Sequence, residues 1–294
     1  MENRNKSAVG LWVAGARPRT LPAAVVPVIV GASCVVGDNA AVERWWCGVL
    51  ALVVSLALQI GVNYANDYSD GVKGTDAVRV GPIRLVGSGL ATAKSVKAAA
   101  FISFGIASIA GAWLAFLTSP LLIVLGVLSI AAAWGYTGGK NPYGYSGLGE
   151  ISVFVFFGLV ATMGTYYVQT ENLTVLSFIV AIPMGALACA ILEINNIRDR
   201  AQDELVGKRT IAVRLGDTKT RWLFVSLLLL AHVAALATLV PTALLTLLVM
   251  PMSYSISKLV LSGVSGKDLI PVLGRTGKLQ LMFSIVLALA LAIQ

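Results

Sequence analysis

Apolar residues in this chain come in long runs separated by polar breaks, the pattern of a protein that crosses a bilayer repeatedly. Nine runs stand out: 20–37, 46–65, 98–117, 120–137, 150–169, 174–194, 221–239, 242–260 and 277–293. Each approaches the roughly 20 residues that a transmembrane helix needs. They predict an all-α integral membrane protein, a nine-transmembrane-helix bundle forming a single domain over residues 1–294. The stretch from Met1 to Lys6 is polar, and the first apolar run has no small-residue cleavage site. No cleavable signal peptide is therefore expected.

The breaks differ by side. On one side they are terse: Thr118-Ser-Pro120, Thr170-Glu-Asn172 and Val240-Pro241. On the other they are long and polar, the longest at about 66–97 and 195–220. Gly71, Gly74, Gly81-Pro82 and Gly87-Ser-Gly89 punctuate the first long break as turns. Residues 91–97 read as a short helix leading into the third span, and Thr218 is predicted to N-cap the seventh.

Composition agrees with a membrane chain. It is 57% hydrophobic and 12% charged, with a mean hydropathy of +0.84. A net charge of +8 would suggest nucleic acid in a soluble protein, but its distribution says otherwise. With the N-terminus in the cytoplasm, 21 of the 22 lysines and arginines fall on the inner side, and Arg44 alone falls outside. This positive-inside bias predicts a cytoplasmic N-terminus, cytoplasmic long breaks and an outward Gln294. It leaves no role for nucleic acid. Cys34, Cys47 and Cys189 lack metal-type spacing, and Cys34 and Cys189 read as small core residues. The single histidine, His232, sits mid-span, where an interhelical hydrogen bond is the favoured role.

Acidic residues are scarce, and five of the 14 fall in two short clusters, 63–76 and 195–203, where the two long breaks begin. The first cluster contains Asn63, Asn66, Asp67 and Asp70, with Asp76 beyond; the second contains Asn195, Asn196, Asp199 and Asp203. The Asn63–Asp67 and Asn195–Asp199 spacings match and lie 132 residues apart, a weak internal symmetry. Spacings of three and four put each set on one helical face. Two acidic faces meeting at one mouth need a counter-ion. Mg²⁺, which binds through few carboxylates plus substrate phosphates, is the economical choice. Asp67, Asp70, Asp76, Asp199 and Asp203, with Asn63 and Asn195, are the candidate metal residues, and the four aspartates other than Asp76 the candidate catalytic ones. Nearby Lys73, Arg79, Arg84, Arg198, Lys208 and Arg209 suit diphosphate oxygens. The competing reading is a solvated loop with ordinary salt bridges.

Several strings, in order, resemble the UbiA superfamily of intramembrane aromatic prenyltransferases. They are Arg17-Pro-Arg-Thr-Leu-Pro22, Asn66-Asp-Tyr-Ser-Asp-Gly-Val-Lys-Gly-Thr-Asp76, Arg79-Val-Gly-Pro-Ile-Arg84, Tyr136-Thr-Gly-Gly139, Gly147-Leu-Gly-Glu150, Gly164-Thr-Tyr-Tyr-Val-Gln-Thr170, Asn195-Asn-Ile-Arg-Asp199 and Gly207-Lys-Arg-Thr210. The superfamily's first motif has two Asp four apart, whereas position 71 is Gly here, so that Asp70 and Asp76 share that role. This is the arrangement of the menaquinone-type branch.

The resemblance implies a Mg²⁺-dependent transfer of a long polyprenyl group from its diphosphate to 1,4-dihydroxy-2-naphthoate. CO₂ and diphosphate leave, and demethylmenaquinol forms. It further implies a bacterial plasma-membrane protein with its active site facing the cytoplasm and a prenyl tail lying between helices open to lipid. Aromatic rings would face the allylic cation. Tyr64, Tyr68, Trp134, Tyr136, Tyr143 and Tyr145 lie near the cytoplasmic span ends, where interface belts also place aromatics. With Arg19, Asn66, Lys140, Glu193 and Asn196, the tyrosines Tyr68, Tyr136, Tyr143 and Tyr145 are the candidates for the acceptor or prenyl pocket. Other aromatic acceptors, 4-hydroxybenzoate and homogentisate among them, remain open. So does a divalent-cation transporter, although that function would need carboxylates deep in the spans.

Overall fold

The computed structural model describes residues 7–38, 42–74 and 84–294, and every regular element among them is helical. Apart from a one-turn helix at Ile211–Leu215 and short 3₁₀ turns, these are, in chain order, α1 (Ala8–Ala16), α2 (Pro22–Gly37), α3 (Trp45–Lys73), α4 (Ala93–Leu117), α5 (Leu121–Gly135), α6 (Gly149–Thr170), α7 (Val175–Leu205), α8 (Asp217–Leu236), α9 (Pro241–Leu261) and α10 (Leu269–Ala292). Seven described helices are long and apolar enough to cross a membrane, and α1 with α2 makes an eighth if that bent pair is one span. The remaining expected run, 120–137, forms α5, whose 15 residues rise only about 22 Å against a hydrocarbon core of roughly 30 Å. Large apolar side chains such as Ile109, Phe116 and Leu121 point outward, as lipid-facing residues do.

Two helices are much longer than a bilayer requires. α3 has 29 residues and α7 has 31, about 44 and 46 Å of rise. Their C-terminal turns carry the two acidic clusters. The long polar breaks thus start later than the hydropathy suggests: Asn63 to Lys73 and Asn195 to Asp203 are helical. Gly74, at φ 73°, closes α3 in the left-handed conformation that glycine tolerates.

Close helix approach holds the frame. A Cβ on Gly61 of α3 would lie 2.4 Å from the Phe104 ring of α4, and one on Gly158 would lie 2.5 Å from Gly185 Cα. Small residues at such crossings are what membrane helices use in place of a hydrophobic driving force. The Gly158 crossing falls in a π-helical stretch of α6, Phe154–Val160. One apolar cluster joins α2, α7, α8, α9 and α10 through Val26, Met184, Phe224, Ile256 and Phe283. Another joins α3, α4 and the segment after residue 83 through Tyr64, Leu85 and Phe104.

Several local expectations resolve here. α4 starts at Ala93, with Thr92 Oγ1 accepting from Ser95 N at 3.2 Å. Thr218 is not the N-cap of the seventh span: Gly216 takes that position and Thr218 lies inside α8. The helix begins two residues earlier than expected, and Asp217 in its first turn forms an ion pair with Arg221 one turn on. His232 is buried, and its Nε2 lies 2.9 Å from Ser253 Oγ of α9, the expected interhelical bond. All three cysteines are buried and free.

The ends of the bundle also separate by charge. Arg44 pairs with Glu171 at the end opposite the acidic clusters. There too Tyr166 and Thr174 donate to Asp38 Oδ2 at 2.7 and 3.1 Å.

Candidate active site

Asp70 is the hub of the first cluster. It is buried near the end of α3, one turn past Asp67. Its Oδ1 accepts the Tyr145 hydroxyl at 2.7 Å, and its Oδ2 accepts Arg84 Nη2 at 3.2 Å. Lys208 Nζ stands 3.8 Å from the same Oδ1 and 3.9 Å from Asp203 Oδ1. One ammonium therefore straddles a carboxylate from each acidic cluster, and the two clusters meet at one mouth.

The loop between α5 and α6 builds the floor of this mouth. Tyr145 lies in a 3₁₀ turn closed by Gly147, which has φ 76°. Its ring sits under two ammonium groups, Lys73 Nζ at 4.9 Å and Lys208 Nζ at 4.5 Å from the centroid. Lys73 also donates to Thr137 O at 2.7 Å, and Thr137 donates to Asn66 Oδ1 at 2.7 Å. Arg209 N donates to Tyr145 O at 2.7 Å, tying the segment after α7 to the same loop. The Arg209 side chain is exposed.

Arg198 grips its neighbour Asp199 through Nε and Nη2, both at 2.7 Å, with Arg198 buried. Bidentate pairing of this kind fixes a guanidinium plane. Tyr136 packs edge-on against Tyr143, ring centroids 5.6 Å apart. Burial, with Glu150, Asp70 and Asp203 in electrostatic reach, pushes the Tyr136 phenol well above its usual range. It stays a neutral O–H donor at any working pH. Burial likewise raises the Tyr143 phenol, whose oxygen donates to Ala132 O at 2.7 Å.

The donor set suits a divalent cation held jointly with phosphates. Among the described residues no three His, Cys, Asp or Glu side chains converge on one point. Mg²⁺ does not need such a cage, because it commonly binds through one or two carboxylates, waters and phosphate oxygens. The Lys208 ammonium between Asp70 and Asp203 marks where a positive charge already sits.

Other expected residues have different partners. Asp67 is fully buried and spends both carboxylate oxygens on backbone amides, Leu85 N at 2.8 Å and Val86 N at 2.9 Å. It anchors the segment after residue 83. Asn63 Nδ2 donates to Ala16 O at 2.9 Å and to Thr20 Oγ1 at 3.0 Å, bracing the elbow between α1 and α2. Asn195 donates to Ile191 O at 3.1 Å, within its own helix. The matched Asn–Asp spacings thus serve unlike contacts.

Tyr68 is outside the mouth, stacked on Trp134 at 5.9 Å with Lys97 over its ring. Arg19 and Lys140 are exposed, and no contact ties either to the cluster among the described residues. Asp76 and Arg79 lie outside the described residues.

Glu150, which closes the string Gly147-Leu-Gly-Glu150, has no site role in the sequence reading. It is buried in the first turn of α6, and its Oε1 accepts Asn196 Nδ2 at 2.8 Å. An acid opening an otherwise apolar run was the available signal.

Comparison with known proteins agrees with this architecture. The signature of the UbiA prenyltransferase family matches residues 24–267. A Mycobacterium tuberculosis protein named 1,4-dihydroxy-2-naphthoate octaprenyltransferase is 49% identical over 283 residues, 96% of each chain. The Mycobacterium leprae protein of the same name is 47% identical over 284 residues, again 96% of each chain. A solved UbiA homologue from Archaeoglobus fulgidus, bound to GPP and Mg²⁺, superposes with a TM-score of 0.67 at 11% identity, covering 96% of this chain and 99% of that one. Signature, near-complete relatives and fold agree: this chain belongs to the UbiA prenyltransferase family.

Proposed function

We propose that this protein transfers a long polyprenyl group from its diphosphate to 1,4-dihydroxy-2-naphthoate, releasing diphosphate and CO₂ and giving demethylmenaquinol. Lys208 lying between Asp70 and Asp203 carries the chemical half of this reading, because it marks a cation position shared by both acidic clusters. The near-complete likeness to the two mycobacterial proteins supports the acceptor half.

In this reading Lys73, Arg84, Lys208 and Arg209 take the diphosphate oxygens, with Arg79 joining from the segment before Arg84. Asp70, Asp199 and Asp203, with Asp76, are the carboxylates offered to the metal. Bound Mg²⁺ would supply charge neutralisation of the departing diphosphate. Asp67 contributes by ordering the segment that carries Arg84. Arg198 holds Asp199 in a single orientation.

The C–O bond of the prenyl diphosphate breaks, and both bonding electrons go to the diphosphate. The naphthoate ring carbon that bears the carboxylate supplies the pair for the new C–C bond. The carboxylate leaves as CO₂, and its bonding pair returns to the ring. Charge balances without an added proton. Water must stay out while the cation exists. The apolar helices do that, and the phenyl faces of Tyr136 and Tyr145 stabilise positive charge.

The acceptor mouth and the N-terminus are assigned to the cytoplasm of a bacterial cell, on the strength of the basic residues gathered at that end. The prenyl tail lies along lipid-open helix faces.

Purified protein given Mg²⁺, a long-chain prenyl diphosphate and a panel of aromatic acceptors, with products identified by mass, tests the proposal. A carboxyl-labelled naphthoate should lose its label as CO₂. Label retained in the product, or turnover with 4-hydroxybenzoate alone, would overturn the acceptor assignment.

A further inference from the structure

A second polar cluster lies one to two turns before Asp199 on α7, and the metal and diphosphate reading leaves it unused. Glu193 is fully buried, and neither carboxylate oxygen receives a hydrogen bond. It lies against the Glu150 carboxyl, and two carboxyl groups held this close share a proton rather than both ionising. Glu150 receives a donor from Asn196 Nδ2 at 2.8 Å. Positions 193 and 196 are three apart and share one face of α7, the face turned to α6. Tyr136 closes the cluster. Its hydroxyl would lie 3.1 Å from a Cβ placed on Gly149, so any larger residue there would push the phenol back by a few tenths of an ångström. Its ring remains partly open, and Asp70 and Asp203 are within its electrostatic reach. The cluster therefore adjoins the aspartate mouth.

A buried polar group left without a partner costs about 1–3 kcal/mol, and more when charged. Acidic side chains inside membrane spans are accordingly rare and mark functional positions. Two carboxyl groups are too few to cage a hard cation alone. Beyond the shared proton, Glu193 has no donor from its surroundings, and Asn196 is the one donor to Glu150 among the described residues. A ligand that brings hydroxyl groups into this cluster supplies further donors.

We propose that Glu150 and Glu193, framed by Asn196 and Tyr136, bind the hydroxyl groups of the aromatic acceptor and select a dihydroxylated ring. The proposal rests on the reading of the chain as an aromatic prenyltransferase, and it adds the group that discriminates among acceptors. A phenolic O–H donating to a carboxylate leaves more electron density on the ring, at the carbons that meet the allylic cation. The cluster thus serves recognition and ring activation together. The Tyr136 phenol, held protonated, can donate to the acceptor's carboxylate or hydroxyl oxygen.

Steady-state kinetics of wild type, Glu150→Gln and Glu193→Gln test this directly. The acceptor KM should rise at least about tenfold in each variant, the loss of one charged hydrogen bond. The KM for prenyl diphosphate should hold within about twofold, since the diphosphate contacts are untouched. Wild type should prefer 1,4-dihydroxy-2-naphthoate over 1-hydroxy-2-naphthoate by about a hundredfold or more in kcat/KM, and Glu150→Gln should largely erase that preference. An unchanged acceptor KM and an unchanged preference in both variants would overturn the proposal.

Wild-type protein gives a second test that does not depend on folding of the variants. As competitors, 1,4-dimethoxy-2-naphthoate should inhibit at least about thirtyfold more weakly than the dihydroxy compound, and equal inhibition would overturn the site. Failure of the underlying reading looks different. If wild type prenylates another hydroxyarene and not the naphthoate, the acceptor identity falls, and the same variants decide the site on that substrate.

Discussion

Tyr145 donates its hydroxyl to Asp70 Oδ1 at 2.7 Å and thereby fastens the loop between α5 and α6 to the end of α3. The same ring lies beneath Lys73 and Lys208. One side chain thus orients a carboxylate through its hydroxyl and two cations through its face.

These two jobs separate by substitution. Tyr145→Phe keeps the ring and drops the hydroxyl. It should lower turnover by roughly tenfold, the cost of one hydrogen bond to a charged group, with little change in KM for prenyl diphosphate. Tyr145→Leu also removes the cation–π contacts, each worth about 0.5–2 kcal/mol, and should raise that KM several-fold. Kinetics with varied prenyl diphosphate distinguish the two, and identical behaviour of both variants would refute the division of roles.

The acidic residues divide as well. Asp67 faces backbone amides, so Asp67→Ala should cost at least about 3 kcal/mol of stability, read as a marked fall in Tm in detergent. Asp67→Asn should be intermediate, because its amide oxygen serves one N–H while its NH₂ group confronts the other. Asp199→Asn and Asp203→Asn should instead lower turnover by about a hundredfold or more with Tm moving only a few degrees. A stable, inactive Asp67→Asn would return Asp67 to the metal site.

Much of this was legible in the chain. The hydropathy runs mark every long helix, and sparse acids at span ends mark the mouth. The loop between α5 and α6 was harder to read. Tyr145 and Glu150 act through partners 75 and 46 residues away, and no local spacing encodes such contacts. The contacts of Asp67 are hidden for a related reason. A carboxylate one turn before Asp70 reads as a metal ligand, and nothing near it in sequence announces the amides of Leu85 and Val86 that it meets in the fold. The helical ends of α3 and α7 were also obscured, because hydropathy falls where a helix leaves the bilayer although its hydrogen bonding continues.

Topology can be tested with the native cysteines left in place, since Cys34, Cys47 and Cys189 are all buried. A cysteine introduced at Val206, which is exposed beyond α7, should label only from the cytoplasmic side of sealed vesicles. One at Asn172, exposed at the opposite end, should label only from outside. The reverse pattern would invert the orientation, and labelling of both from one side would break the alternation of spans.

Metal dependence should take a particular form. Among the described residues no three acidic, His or Cys side chains converge, and Lys208 holds the position between Asp70 and Asp203. Mg²⁺ alone therefore meets an ammonium and too few oxygens, and should bind weakly. A diphosphate changes both conditions. Its oxygens complete the coordination, and they give Lys208, Lys73 and Arg84 an anion to turn to. Binding should accordingly be synergistic. In thermal-shift measurements, millimolar Mg²⁺ alone or a non-reactive prenyl diphosphate analogue alone should move Tm little. Together they should raise it by several degrees, the shift expected when ligand exceeds its Kd by about a hundredfold. EDTA should reverse the shift and abolish turnover while leaving the protein folded. Lys208→Ala should strengthen binding of Mg²⁺ alone and weaken the synergy. A full shift with Mg²⁺ alone in wild type would mean that the chain builds its own metal cage, and would overturn the shared site proposed for the two acidic clusters.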